Sequence, residues 1–207
     1  IMPTFGLFNG GFGCYHGCRK AHLFCVPASS GNTERQIKLM RDFHVKGFCS
    51  VVSYVPRLIE KLDADPNGDF DIPSLRVGIF GSETFSDELR RRIESRLHIE
   101  CFDIYGMTET GGIGTTGQDC TAHNGNNDWE DQYITAIIDP VTGVVVPDGE
   151  YGDVVFTSLA SEAMPIIRYR TRDISRILSR EKCACGRTSL RIDRITGRTD
   201  DMLIVKG

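Results

Sequence analysis

Several features are missing from these 207 residues. No apolar run approaches the roughly 18 residues that a membrane span needs. There is no excess of positive charge: 24 Lys and Arg face 28 Asp and Glu, for a formal net charge of −4. A dedicated nucleic-acid binder is usually basic, so that class is disfavoured. No internal repeat or low-complexity tract appears, which removes solenoids, collagen and disordered chains. No Gly-Lys-Ser/Thr follows a glycine-rich stretch, so there is no P-loop. The start carries no signal-peptide pattern, and the eight cysteines are irregularly spaced. The expectation is a reduced, cytoplasmic protein with some thiols on a metal rather than a disulfide scaffold.

Composition is otherwise globular, with 40% hydrophobic and 25% charged residues. At this length about 70% of the unfolded surface can be buried, enough for a real core. The abrupt apolar ends, Ile1-Met2-Pro3 and Ile204-Val205-Lys206-Gly207, read as those of a fragment.

The glycine-rich stretch 5–13 fits either a helix packed tightly on a sheet or a close approach to a ligand. Thr33 with Gln36 looks like a capping box, followed by Ile37, Met40 and Phe43 at helical spacing. Residues 47–52 read as a strand, 54–62 as a helix with Pro56 in its first turn, and 75–80 as a second strand. Ser86 caps a further helix with Leu89, Ile93 and Leu97 on one face, and 99–105 read as a third strand. Alternating strands and helices predict βαβ units with a parallel sheet. After Gly112 the texture changes: 113–130 read as loop, then short β segments turn at 139–143 and 147–150. The expected fold is α/β, a parallel βαβ sheet layer followed by a smaller antiparallel β subdomain. The expected divisions are 1–112, 113–199 and a terminal 200–207.

In parallel α/β sheets, ligands bind beyond the carboxyl ends of strands. One strand ends in Gly81-Ser82-Glu83-Thr84, another in Gly106-Met107-Thr108-Glu109-Thr110-Gly111-Gly112. The second loop offers hydroxyls, backbone N–H groups and one carboxylate, a set suited to phosphate with magnesium; glycine-rich loops after strands are also common without either. Arg168-Tyr169-Arg170-Thr171-Arg172-Asp173 presents an aspartate that can accept ribose hydroxyls, or is a solvated charged strand. Gly197-Arg198-Thr199-Asp200-Asp201 alone is a turn.

Cys120-x2-His123 and Cys183-x-Cys185 offer four soft ligands on two tight turns, a pattern tetrahedral zinc favours; the alternative is unrelated thiols and a surface histidine. All four lie in the β half, away from the glycine-rich loops, so the zinc would be structural. Cys14 and Cys18, with His16 between them, offer a further set of metal ligands or, the favoured reading, packed thiols. His22, His44 and His98 read as surface or helix-end residues.

These pieces, in this order, resemble the phenylacetate–coenzyme A ligase family of the adenylate-forming superfamily; the coenzyme F390 synthetases look alike at this level. The residues carrying the resemblance are Phe5-Gly6-Leu7-Phe8-Asn9-Gly10-Gly11, Ser30-Gly31-Asn32-Thr33-Glu34-Arg35-Gln36, Asp103-Ile104-Tyr105-Gly106-Met107-Thr108-Glu109, Ile138-Asp139-Pro140-Val141-Thr142-Gly143, Arg168-Tyr169-Arg170-Thr171-Arg172-Asp173 and Gly197-Arg198-Thr199-Asp200-Asp201-Met202-Leu203.

The resemblance implies two steps: a carboxylate attacks ATP to give an acyl-adenylate, and the coenzyme A thiol then displaces AMP. It implies that Thr108 contacts phosphate and Glu109 holds Mg2+. Gly81, Ser82 and Glu83, with Asp103, Ile104, Tyr105, Gly106 and Met107, would line the nucleotide site. Asp173 would bind the ribose hydroxyls, Arg198 would reach ribose or phosphate, and Asp200 would be the hinge to a further domain. Phe8 and Tyr54 would wall the aryl pocket. The implied partners are a small carboxylic acid, ATP and coenzyme A, with a homodimer allowed and neither nucleic acid nor membrane. The family's main phosphate loop and its adenylation lysine would lie outside these residues, so the 207-residue chain alone is expected to be inactive. This sequence has Thr171-Arg172-Asp173 where relatives usually have Thr-Gly-Asp, and Val52-Ser53-Tyr54 where they usually have Pro-Ser-Tyr. It has Asn127 where many carry a histidine, which bears on His123 as a ligand. Rival readings are an adenylate-forming enzyme with another acceptor, a non-catalytic nucleotide-binding relative, and a zinc-built interaction domain.

Overall fold

The computed structural model describes residue 5, residues 9–83 and residues 85–200. The chain divides into two compact units at Asp103/Ile104, whereas the texture of the sequence changes after Gly112. Four helices and three strands open the chain: α1 Gly10–Lys20, α2 Thr33–Asp42, β1 Gly47–Val51, α3 Tyr54–Asp63, β2 Val77–Gly81, α4 Asp87–Leu97 and β3 Glu100–Tyr105. A single 3-10 turn, Thr108–Thr110, follows. Among the described residues eight strands follow: β4 Gly117–Gln118, β5 Asn126–Asp128, β6 Tyr133–Ile138, β7 Gly152–Ser158, β8 Tyr169–Ser175, β9 Ile177–Ser179, β10 Arg191–Ile192 and β11 Gly197–Arg198.

In the first unit β1 and β2 pair in parallel, from Gly47 opposite Val77 to Val51 opposite Gly81, with β3 next in order. This is the expected βαβ layer. Its core gathers Ile37 and Met40 from α2, Val55, Leu58 and Leu62 from α3, Ile93 and Leu97 from α4, and Phe48 and Phe80 from the sheet. The helix residues recur at three- and four-residue spacing, which puts them on one stripe. Each fully buried side chain of this size contributes roughly 2–3 kcal/mol.

Helix starts follow side-chain chemistry. Ser86 Oγ accepts from the Leu89 N–H at 3.1 Å, as the sequence predicts. The cap of α2 is Asn32, one residue before the expected Thr33: its Oδ1 accepts from the Arg35 N–H at 2.9 Å. Gln36 does not close a box with it. It is buried, and its Nε2 donates to the Ser29 carbonyl. His22, His44 and His98 all follow helix ends with positive φ, the position glycine usually takes.

The second unit is antiparallel. Its larger sheet runs β3-β4-β5-β10-β9 and the smaller β11-β8-β7-β6. β6 and β7 pair over six residues, from Tyr133 opposite Ser158 to Ile138 opposite Asp153. The turns expected at 139–143 and 147–150 are present: Asp139 Oδ1 accepts from the Thr142 N–H at 2.6 Å, and the Glu150 N–H donates to Pro147. The core of this unit centres on Ile137, Val154, Phe156, Ile177, Leu190 and Ile192. Among the described residues no helix is long and apolar enough to cross a membrane.

Candidate active site and candidate metal centre

The loop after β3 is built around Gly106. A Cβ there would lie 2.2 Å from the Gly112 carbonyl oxygen and 2.8 Å from the Gly114 nitrogen, so only glycine fits. The Met107 carbonyl accepts from the N–H groups of Thr110 and Gly112, and Thr110 Oγ1 closes the same turn. Gly111 ends the 3-10 turn with φ 90°. From below, the buried Tyr133 hydroxyl donates to the Thr110 carbonyl at 2.5 Å. These contacts fix the backbone and leave Thr108 and Glu109 exposed on the turn.

Four candidates converge in one network. Tyr105 Oη donates to Asp173 Oδ2 at 2.6 Å, and Arg198 Nη1 donates to Asp173 Oδ1 at 2.7 Å. The other face of the Arg198 guanidinium, Nε and Nη2, donates to both Asp200 oxygens at 2.8 Å. β8 and β11 hold this geometry by register, since Arg198 pairs with Asp173 across the strands. Burial raises the Asp173 carboxyl above its ordinary value, against the pull of the Tyr105 hydroxyl and Arg198. Burial, then the Asp173 charge, raises the Tyr105 phenol strongly. Arg198 is held still more firmly protonated, first by Asp200.

Sequence reasoning missed Tyr169, whose phenol is raised first by burial and then by the neighbouring Glu109 carboxylate. It also missed Thr171, whose carbonyl accepts from Arg198 Nη2 at 3.0 Å. The strand alternation that puts Tyr169, Thr171 and Asp173 on one face was the available signal. Arg172, between Thr171 and Asp173, has φ 70°.

Other candidates belong to the first unit. Gly81 is the last residue of β2, and Ser82 and Glu83 follow it, with Ser82 at φ 68°. The Glu83 carboxylate accepts from both the N–H and the Oγ–H of Ser53, each at 2.7 Å. Tyr54 Oη donates to Gln36 Oε1 and lies 2.8 Å from Thr33 Oγ1. Asp103 is buried at the last position of this unit. Ile104 is buried at the first position of the next, packed against Gly114. Phe8 lies outside the described residues.

In the β half, Cys120, Cys183 and Cys185 bring their sulfur atoms within 4.8 Å of one another, the only such group of three ligand atoms among the described residues. Cys120 and Cys183 Sγ are 3.7 Å apart. Two sulfurs bound tetrahedrally at 2.3 Å from zinc lie about 3.8 Å apart, so the spacing fits. Both turns are tight: the His123 N–H donates to the Cys120 carbonyl, and the Gly186 N–H to the Cys183 carbonyl. The Arg187 N–H and side chain pull the Cys185 thiol down to about 6, towards the thiolate a metal needs. His123 is not in the group: its Nδ1 lies 2.8 Å from Asp119 Oδ2. Neither of its ring nitrogens lies within 4.8 Å of all three sulfurs, and Asp119 orients the ring.

The model of the family described as AMP-binding enzyme matches residues 12–160. The chain belongs to that family. It is 44% identical over 207 residues to the phenylacetate-coenzyme A ligase of Pseudomonas putida and 42% identical to that of Escherichia coli K12. The corresponding Thermus thermophilus enzyme is 37% identical over 203 residues. The matches cover 98–100% of this chain but only 45–46% of each relative. The chain thus spans about half the length of the curated relatives it matches. Among solved structures, a 2-hydroxyisobutyryl-CoA ligase in complex with 2-HIB-AMP and CoA superposes with TM-score 0.86 at 24% identity, over all of this chain and 49% of that one. An anthranilate CoA ligase in complex with anthranoyl-AMP gives 0.58 at 19% identity, over 88% of this chain and 35% of that one. Both support the fold alone.

Proposed function

We propose that the chain is the nucleotide-handling part of a ligase that activates an aryl or small carboxylic acid, phenylacetate-like, as its acyl-adenylate and passes it to coenzyme A. The observation that carries this reading is the Tyr105–Asp173–Arg198 network beside a loop whose backbone is fixed and whose hydroxyl and carboxylate are exposed. A carboxylate has about four acceptor directions. Tyr105 and Arg198 use two at Asp173, which leaves capacity for the two hydroxyls of a ribose. Thr108 donates its hydroxyl to phosphate, and Gly81, Ser82, Glu83 and residues 103–107 supply the remainder of the nucleotide site.

Glu109 is an exposed hard oxygen donor and fits Mg2+. When bound, the ion offsets the repulsion between an attacking carboxylate and phosphate. Tyr169 stands beside the Glu109 carboxylate. Tyr54, its hydroxyl fixed by Gln36, presents a ring to an aryl acid; Phe8 is the second proposed wall. Asp200, gripped by Arg198, is the proposed hinge. Cys120, Cys183 and Cys185 form a structural zinc centre. The proposed setting is the cytoplasm, with a homodimer allowed and no role for nucleic acid or membrane.

The test has two arms. AMP binding to the chain is measured by calorimetry for the wild type and for Asp173→Asn, which keeps the shape and removes the charge. Loss of a charge-assisted bond of about 1.5–3 kcal/mol weakens binding roughly ten- to hundredfold. In the whole protein, phenylacetate-dependent exchange of pyrophosphate into ATP follows the same substitution. Unchanged AMP affinity in Asp173→Asn removes the ribose role. No exchange with any aryl or short-chain acid removes the ligase reading.

A further inference from the structure

Two buried polar atoms of the second unit that lack a hydrogen-bond partner belong to neighbouring residues. Asn127 is 0% exposed and its Oδ1 has no partner; Arg191 is 6% exposed and its Nε has none. The two residues pair across β5 and β10, so their side chains share one face of the sheet. An acceptor and a donor placed like this could bond to each other, and they do not. A lone buried acceptor calls for a donor or a cation, and a lone buried donor calls for an anion. The same register leads to the three-sulfur group. Gln118 pairs with Asn127 on the other side and precedes Cys120 by two residues. Its carbonyl accepts from Asn127 Nδ2 at 3.3 Å, which fixes the amide. Arg191 Nη1 donates at 2.9 Å to the carbonyl of Glu181, two residues before Cys183. Asn127 therefore lies between the two strands from which the cysteine turns are held. Burial raises the Cys120 thiol, and the Asn127 amide is among the groups that lower it.

We propose that Asn127 is the fourth ligand of the metal at Cys120, Cys183 and Cys185, binding through Oδ1, while the Arg191 Nε–H donates to one of the thiolates. One metal–thiolate unit then satisfies both unpaired atoms, the acceptor through the cation and the donor through sulfur. The proposal rests on the zinc reading above and names the residue that completes it. Charge agrees as well. Zn2+ with three thiolates carries one net negative charge, and the buried guanidinium, which stays protonated, cancels it. Each thiol that binds gives its proton to solvent. Two other side chains of the Cys120 turn are committed elsewhere. His123 has Nδ1 on Asp119, and neither ring nitrogen reaches all three sulfurs. Asn124 Oδ1 accepts the Cys183 S–H at 3.7 Å, but the residue is exposed, so water satisfies that oxygen once the thiol ionises. An amide oxygen suits zinc less well than imidazole does.

The experiment measures the zinc affinity of the reduced protein by competition with a chromophoric chelator, in the wild type and in Asn127→Ala, His123→Ala and Asn124→Ala. Asn127→Ala is expected to weaken zinc at least about tenfold, and the other two to leave it unchanged. Arg191→Met should weaken it about tenfold through the thiolate it no longer contacts. A further readout does not depend on losing a ligand. Asn127→His puts a nitrogen in place of the oxygen, so zinc should bind more tightly, and the visible d–d bands of the Co2+-loaded protein should move. Undiminished zinc affinity in Asn127→Ala overturns the proposal, as do Co2+ bands that are the same in the wild type and Asn127→His. So does a loss in His123→Ala or Asn124→Ala as large as that in Asn127→Ala. A wild type that takes up no zinc with its thiols reduced is a separate failure, because it removes the zinc reading itself and this proposal with it.

Discussion

Two residues show how local strain and burial trade against the site they serve. Arg172 occupies the left-handed region with φ 70°, and its carbonyl accepts from the Thr199 N–H, which links β8 to the segment after β11. A non-glycine residue there costs about 1–2 kcal/mol, while glycine costs about 0.5–1 kcal/mol in chain entropy. Arg172→Gly is therefore expected to stabilise by about 0.5–1 kcal/mol, a rise of about 2 °C in Tm. Differential scanning fluorimetry checks this, and a lower Tm refutes it. Asp128 is a different case. It is 0% exposed, and burial pushes its carboxyl up to about 6 against hydrogen bonds from Thr135 and the Trp129 N–H. The unfolded value is near 3.9. Between about pH 4 and 6 the folded state holds the extra proton, so stability falls as pH rises and the cost is constant above. Asp128→Asn should gain about 1–3 kcal/mol at pH 7 and little at pH 4.5. Urea titrations at both values measure the gap; a gap independent of pH would mean that ionisation is not its source.

At the scale of elements, caps and periods decide what a sequence reveals. α3, α4 and β1 to β3 were legible because their apolar residues repeat at three to four or at two. α1 has no legible period, because its glycines carry none. β4, β10 and β11 have two residues each, too few to show alternation, and β5 is three buried polar residues, Asn126 to Asp128. Much of the candidate site was legible as motif order, since Tyr105, Glu109, Asp173 and Arg198 sit in recognisable strings. Tyr169 was not, because only the fold brings it near Glu109; Asp119 was not, because a carboxylate four residues before a histidine is no motif by itself. The α2 cap was misplaced by one residue because Asn32 and Thr33 are both good caps, and Gln36 is occupied by Ser29 and Tyr54. Where a single cap candidate stands, the energetics are simple. Ser86→Ala removes the acceptor for Leu89 and should cost about 1 kcal/mol. His98→Gly, at φ 53° just after the same helix, should recover about 0.5–1 kcal/mol. Thermal melts of both variants and their double test the pair; a stabilised Ser86→Ala would show that the cap contributes nothing.

At the scale of the whole molecule, the proposed metal sits in one unit only, which makes its effect separable. Cys120 lies just after β4, and Cys183 and Cys185 lie between β9 and β10, so a metal would join segments 63 residues apart in the chain. Closing a loop of that length is costly for a flexible chain, and a ligated ion removes that freedom from the unfolded state. Native mass spectrometry should find one zinc per chain, lost in Cys183→Ser. Chelation should then speed hydrogen exchange in β5, β9 and β10. Exchange in α2, α3 and α4 should stay unchanged, because their core of Leu58, Leu62 and Ile93 is complete within the first unit. If chelation loosens α2 to α4 as much as β9 and β10, the ion is not confined to the second unit.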